Sequence, residues 1–297
     1  MEENANQEIR IAVLIDADNI SHHYVQPMMQ EIARYGNPTI KRIYGDWTKP
    51  NLAGWKNHLL DYALNPVQQF AYTTGKNSTD SALIIDAMDI LFSGRAEAFC
   101  LVSSDSDFTR LATRLREAGK TVYGIGEQKT PNAFIAACDR FIYLEILQDE
   151  FDDEESSDKA EDKLETDRSS KSNRGSNTAR SKSSTSRDSS KSNNKRKSQK
   201  KALEHVDDKL IHLIDQSIQD LEDEDGWAYL GELGQLLTKK QPSFDARNYG
   251  FAKLSSLLLS IGRYEMDNKE VTKGHGKQLF VRRKNDPNRI KKNERAF

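Results

Sequence analysis

Aspartates stand where the apolar runs of the first 150 residues stop. Ile11 to Ile15 ends on Asp16, with Asp18 and Asn19 just beyond; Tyr44 precedes Asp46, Val102 precedes Ser103, Ser104, Asp105 and Asp107, and Asp80 opens an amphipathic stretch. If Asp16, Asp80, Asp105 and Asp107 converge, their mutual repulsion is roughly 1 kcal/mol per pair at 4 Å in water and about 4 kcal/mol near a protein surface. Such a group requires protons, an ordered cation, or both. An all-oxygen set without His or Cys selects a hard ion, Mg²⁺ or Mn²⁺, over zinc. That ion can neutralise a phosphodiester, stabilise a leaving oxygen and activate water for in-line attack.

Each acid also has a structural role open to it. Asp18 or Asn19 can cap the next helix, Asp46 can close a turn beside Trp47, and Asp107 can cap a helix carrying Phe108, Leu111 and Leu115. Asp16 and Asp105 fit those roles less well, because each ends a strand expected to be buried, where an unpaired carboxylate is costly. Asp86 and Asp89 lie on the helix that Asp80 opens, where an apolar stripe competes for the inward direction.

The elements that must position these acids alternate in type. Strands are expected at residues 9–15, 39–44, 67–72, 98–102, 121–124 and 141–144, with helices at 25–35, 52–64, from Asp80 to Gly94, through Ala118, and at 132–138. Pro66 is read as the stop of the second helix. In the third, Ala82, Ile85, Met88 or Asp89, and Phe92 have the spacing of an inward stripe. This rhythm implies a parallel sheet with helices on both faces, whose strand C-termini share the edge where ligands bind.

Composition bounds the rest. The chain has 297 residues, of which 36% are hydrophobic and 30% charged, so two domains fit but one compact unit does not. Without a run of roughly 18 apolar residues, and with an acidic N-terminus, no membrane span or signal peptide is expected and the protein is placed in the cytoplasm. Cys100 and Cys138 sit in apolar segments, as buried reduced thiols would. From Asp149 to Asp167 there are eleven acids against two lysines, and from Arg168 to Lys201 twelve basic residues against one acid. No core forms from that, so residues 149–202 are expected to be a disordered charged linker, whose basic half could add nonspecific affinity for nucleic acid.

The three segments I-D-A-D-N, G-K-N-S-T-D-S-A-L-I-I-D and V-S-S-D-S-D-F resemble, in order and spacing, the NYN domain, a PIN-like branch of metal-dependent ribonucleases of the LabA-like kind. The resemblance covers about residues 8 to 147. It implies a PIN-like α/β fold and a Mg²⁺ or Mn²⁺ site held by Asp16, Asp80 and Asp105, with Asp107 as a fourth acid. Asn19 would orient a water or backbone group, Ser104 would lie at the rim against RNA, and Lys76 would contact phosphate. Asp16-Ala-Asp18 also resembles the D-x-D motif of haloacid-dehalogenase phosphatases, although no lysine ends a strand convincingly here. A Rossmann-type nucleotide site is weaker, because no glycine-rich turn follows the first strand.

After the linker, Val206, Leu210, Leu213, Ile214 and Leu221 form an amphipathic face, and W-A-Y-L-G-E-L-G-Q-L-L reads as a second helix. A third helix carries Phe251, Leu254, Leu257, Leu258 and Ile261, is capped by Asp245 or Ser243 and is ended by Gly262. A hairpin follows, Tyr264 to Thr272 and Gln278 to Arg283, which completes a winged-helix arrangement. Residues 203–284 resemble the OST-HTH or LOTUS domain, which is associated with RNA binding and can instead bind protein. Lys239, Lys240, Arg247, Lys253, Lys273, Lys277, Arg282 and Arg283 gather around the third helix and wing, as phosphate contacts would. Tyr249 could stack on a base or pack in the core.

The expected organisation is therefore a nuclease domain at 8–148, a linker at 149–202, a winged-helix domain at 203–284 and a basic tail at 285–297. The expected activity is metal-dependent cleavage of single-stranded or structured RNA. The alternative is a catalytically silent adaptor that binds RNA or protein.

Overall fold

The computed structural model describes residues 8–70, 78–147, 202–272 and 275–284. The first domain is built on six strands: β1 (Arg10–Asp16), β2 (Asn37–Gly45), β3 (Asn65–Gln68), β4 (Ala98–Val102), β5 (Thr121–Gly126) and β6 (Arg140–Tyr143). They lie side by side in the order β3-β2-β1-β4-β5-β6, each neighbour parallel to the next. β1 explains why. Ile11, Val13 and Ile15 enter one apolar cluster with Met28, Ile32 and Trp55, while Ala12 and Leu14 enter another with Leu83, Ala87 and Ile90. A strand apolar on both faces needs helices on both, and parallel crossovers supply them. α1 (Val25–Ala33) and α2 (Trp55–Asp61) cover the first face; α3 (Ser78–Ser93), α4 (Thr109–Glu117) and α5 (Asn132–Ala137) cover the second.

The chain moves outward from β1 through β2 to β3, then crosses back through α3 to β4 on the other side of β1. Loops leaving β1 and β4 therefore diverge, and the crevice between them at the C-terminal edge is the topological switch point of the sheet.

Three local expectations change. The third strand runs from Asn65 and contains Pro66, which was read as a helix stop; on an edge strand the missing amide can face outward without breaking the ladder. The expected inward stripe of α3 holds only in part: Ala82 and Met88 are half-buried against the core, but Ile85 and Phe92 are not. Leu83, Ala87, Ile90 and Leu91 are buried, while Ile85 and Phe92 are 63% and 74% exposed. Because α3 is apolar on several faces, spacing alone allows two stripes, and the packing of β1 and β2 selects one. In the second domain, Ala228–Tyr229 within the expected second helix is strand β7.

That domain follows as α6 (Asp208–Leu221), β7, α7 (Leu230–Lys240), a 3-10 turn at Ala246–Tyr249, α8 (Leu254–Ile261), β8 (Tyr264–Thr272) and β9 (His275–Arg283). Asp207 caps α6 by accepting the Leu210 amide at 2.9 Å. Asp245 caps the 3-10 turn and not the third helix, since its side chain accepts the Arg247 amide and α8 begins only at Leu254. Gly262 ends α8 with φ 75°, a left-handed conformation that favours glycine. The strands form an antiparallel sheet in the order β7-β9-β8 over a core of Ile214, Leu233, Leu257 and Val281.

Cys100 and Cys138 are free and buried; burial raises both thiols, Cys138 to about 12, so neither is a ready thiolate. No helix among the described residues is long and apolar enough to cross a membrane.

Candidate metal centre and nucleic-acid interface

The fully buried run of β1 delivers Asp16 to the switch point at only 1% exposure. Its carboxylate is held on both oxygens: Oδ1 accepts the Asp18 amide at 3.2 Å and Oδ2 accepts the Ser103 hydroxyl at 2.9 Å. Burial pushes this carboxyl above the usual range, and hydrogen bonds from Ser103 and Asn19 pull it partly back. Ser103 ends β4, and its Oγ also accepts the Asp105 amide at 3.1 Å. One hydroxyl thus ties the acid ending β1 to the acid following β4.

Asp105 is set by a turn of its own. It caps the 3-10 turn Ser106–Phe108, accepting the Asp107 amide on Oδ1 at 2.9 Å, and Phe108 anchors that turn in the core. Asp80 stands in the first turn of α3. Beside it, the Thr79 hydroxyl donates to Asp18 Oδ2 at 3.0 Å and fastens the helix to the loop after β1. The result is that Asp80, Asp105 and Asp107 each offer a carboxylate oxygen within 4.8 Å of the others. Asp16 lies outside that group of three but acts on it, as its charge raises Asp80.

The electrostatics match a cation site. Asp80 is pushed up to about 6, first by burial and then by the charges of Asp16, Asp105, Asp107 and Asp18. The charges that act most strongly on it among the described residues are acids. A partly buried carboxylate so crowded gains more than a solvated one from positive charge brought beside it. Three half-open oxygen ligands without His or Cys fit a hard divalent ion that keeps several waters.

The remaining acids take the structural roles open to them. Asp46 accepts the Thr48 hydroxyl at 2.6 Å and the Gln68 amide at 3.0 Å, which closes the loop after β2. Asp86 pairs with Arg42 and the Tyr44 hydroxyl behind the site, and Asp89 is exposed. Asp107 does not cap α4, because it lies inside the 3-10 turn that Asp105 caps, and Phe108 holds the N-cap position of α4.

The expected RNA contacts divide. Lys76 and Lys273 lie outside the described residues, as does the Lys277 side chain. Ser104 is buried and not at the rim, because its hydroxyl accepts the Glu127 amide at 2.8 Å. Lys239 and Lys253 are exposed, and Lys240 is exposed but paired with Asp220 at 2.6 Å. Arg282 pairs with Glu265 and lies 4.3 Å from the Trp227 ring centroid, with Lys269 at 4.4 Å from the same ring. Arg283 reaches Glu222 at 3.5 Å. Of the two roles open to Tyr249 the structure takes core packing, at 6% exposure, and not base stacking. Arg247 is corrected: its guanidinium is held by Glu31 and Asp245 instead of facing solvent.

Ser103, Thr79 and Glu31 were not singled out from sequence. Ser103 carried a usable signal, since it continues a buried strand directly into the acidic loop. Glu31 carried none, because its partner lies 216 positions away.

Comparison with known proteins adds a family to each half. The NYN domain matches residues 10–145, and the OST-HTH/LOTUS domain matches residues 201–274. The chain carries these two domains in that order; NYN domains are typically nucleases, and OST-HTH domains bind RNA. Among solved structures, a protein of unknown function from Vibrio parahaemolyticus RIMD 2210633 is 19% identical, covering 48% of this chain and 94% of its own at a TM-score of 0.39. An uncharacterized protein from Nitrosomonas europaea is 28% identical, covering 34% of this chain and 94% of its own at a TM-score of 0.27. No curated protein matches the chain.

Proposed function

We propose that this NYN and OST-HTH/LOTUS pair is a Mg²⁺- or Mn²⁺-dependent endoribonuclease, whose first domain cuts RNA that the second binds. The observation that carries the reading is the meeting of Asp80, Asp105 and Asp107 within 4.8 Å, with Asp80 raised to about 6 by burial and by neighbouring acids. Those three side chains would hold the ion, with Asp16 behind them. When bound, it would supply charge neutralisation at the phosphodiester and an activated water. The chain's own residues do the positioning. Ser103 holds Asp16 and the Asp105 backbone in fixed relation, Thr79 fixes the start of α3, and Asn19 orients the Asp16 carboxylate. Exposed Lys239 and Lys253, with Lys240, Arg282 and Arg283, supply positive charge for phosphate on the second domain. Domain limits of 8–148 and 203–284 follow from this reading. The free buried cysteines fit a reducing compartment such as the cytoplasm.

The test incubates the full chain with single-stranded and hairpin RNA, with Mn²⁺ or excess chelator, beside Asp16→Asn and Asp105→Asn. Cleavage should need the metal and both carboxylates. RNA bound but left whole with Mn²⁺, or full cutting in chelator, would overturn the reading in favour of an adaptor or a metal-independent activity.

A further inference from the structure

β6 is an edge of the six-stranded sheet, and the outward amides of an edge strand require a partner or water. One of them has a partner in the other domain: the Phe141 amide donates to the Pro242 carbonyl at 2.8 Å. Around that bond the two domains meet through charge. Arg247 donates from Nη2 to Glu31 Oε1 at 2.9 Å and from Nη1 to Glu31 Oε2 at 3.1 Å, a two-pronged grip on α1. Its Nη2 also reaches Asp245 Oδ2 at 2.9 Å. Arg140, opening β6, reaches Asp245 at 3.1 Å and lies 5.2 Å from the Tyr35 ring centroid. Leu203, ahead of α6, packs against both apolar clusters of the first domain, and its carbonyl accepts from Gln128 at 3.1 Å.

We propose that the Arg247 face of the OST-HTH/LOTUS domain is a docking surface for the NYN domain of the same chain, and not a phosphate-binding surface, so that the two domains act as one rigid unit. Glu31 is 3% exposed and Arg247 11%. A phosphate taking Arg247 would leave Glu31 with only the exposed Arg34 at 2.8 Å for a cation and Asp245 with only Arg140 at 3.1 Å, which is unfavourable for carboxylates this buried. Charge is complementary, with an acid on α1 facing an arginine and an arginine on β6 facing an acid. Modest affinity is enough, because covalent connection holds the surfaces at an effective concentration of about millimolar. Docking also fixes distance. Gln128 follows β5 at the same sheet edge that bears the acids, and β6 lies two strands from β4, roughly 10 Å.

The inference does not rest on the nuclease reading, since its test needs neither RNA nor metal. Hydrogen exchange at the Phe141 amide and the radius of gyration by X-ray scattering are measured on the full chain, on Arg247→Ala and on Glu31→Gln. Both variants should exchange that amide about tenfold faster or more, and Arg247→Ala should expand. Glu31→Gln removes the same contact from the other domain, so it decides the matter if Arg247→Ala fails to fold. Unchanged protection and size in a folded variant would overturn the proposal. So would weaker RNA binding by Arg247→Ala with the Phe141 amide still protected, which would make Arg247 a phosphate contact.

Discussion

Two groups of carboxylates, one at the switch point of the first domain and one where the two domains touch, have met opposite fates. At the switch point Asp80 is crowded by Asp16, Asp18, Asp105 and Asp107 and is raised to about 6. At the domain contact Glu31 and Asp245 are as buried, and burial pushes both upward, but hydrogen bonds and charge from Arg247 outweigh it and hold both below the usual range. Burial is common to the two groups; the arginine is not. A set of acids that the chain has already neutralised is a joint, and a set it leaves crowded is a site that awaits a cation from outside.

The contrast is broken most severely on the open side. Asp105→Asn removes ligand charge at nearly constant volume, so cleavage with Mn²⁺ should fall by at least about 100-fold, read as RNA remaining on a gel, while circular dichroism is unchanged. On the closed side Arg247→Ala leaves Glu31 with only Arg34 for a cation and Asp245 with only Arg140. Urea unfolding should show a loss of up to about 3–5 kcal/mol, less where the domains part and water returns to the acids. Acid should act on the same joint. Glu31 and Asp245 have depressed values in the folded chain, so their stabilisation is complete above the unfolded carboxylate range, near pH 4, and is lost as pH falls through the folded values. Scattering across that window should show expansion. A smaller effect is expected from the ligand itself. Mn²⁺ at about 100 times its dissociation constant should add roughly 2.7 kcal/mol, seen as a raised melting temperature that chelator reverses and Asp105→Asn abolishes. Smallest is Ser103→Ala, which deprives Asp16 and the Asp105 amide of their shared hydroxyl and should cost about 1–2 kcal/mol in urea unfolding.

The open site could be read in the sequence because its geometry is local. Each acid ends or follows a strand, and a buried strand announces itself as an apolar run. Other features answered to partners that spacing cannot show. In α3 Ile85 and Leu83 are equally apolar, and only the register of β1 and β2 against the helix decides that Leu83 is buried. Pro66 signals a stop until an edge strand is there to tolerate it. Arg247 and Tyr249 stand in a basic, aromatic stretch that looks built for nucleic acid. Their fates depend on Glu31, more than 200 residues earlier, and on a core closed by Phe244. Ser104 was expected at the rim and Ser103 was passed over, a shift of one residue that turns a side chain to the other side of the strand end.

The two margins of the six-stranded sheet bear on how the protein can be divided. β3 is blunted by Pro66, whereas β6 has one of its amides satisfied from residue 242. A chain cut after Leu147 would therefore bare a strand margin that is covered in the whole protein. Such margins recruit one another, so the severed NYN domain should self-associate more strongly with rising concentration than the intact chain. The winged-helix domain would then serve as a chaperone to its neighbour, and loss of activity on its removal would report precipitation before it reported anything about RNA.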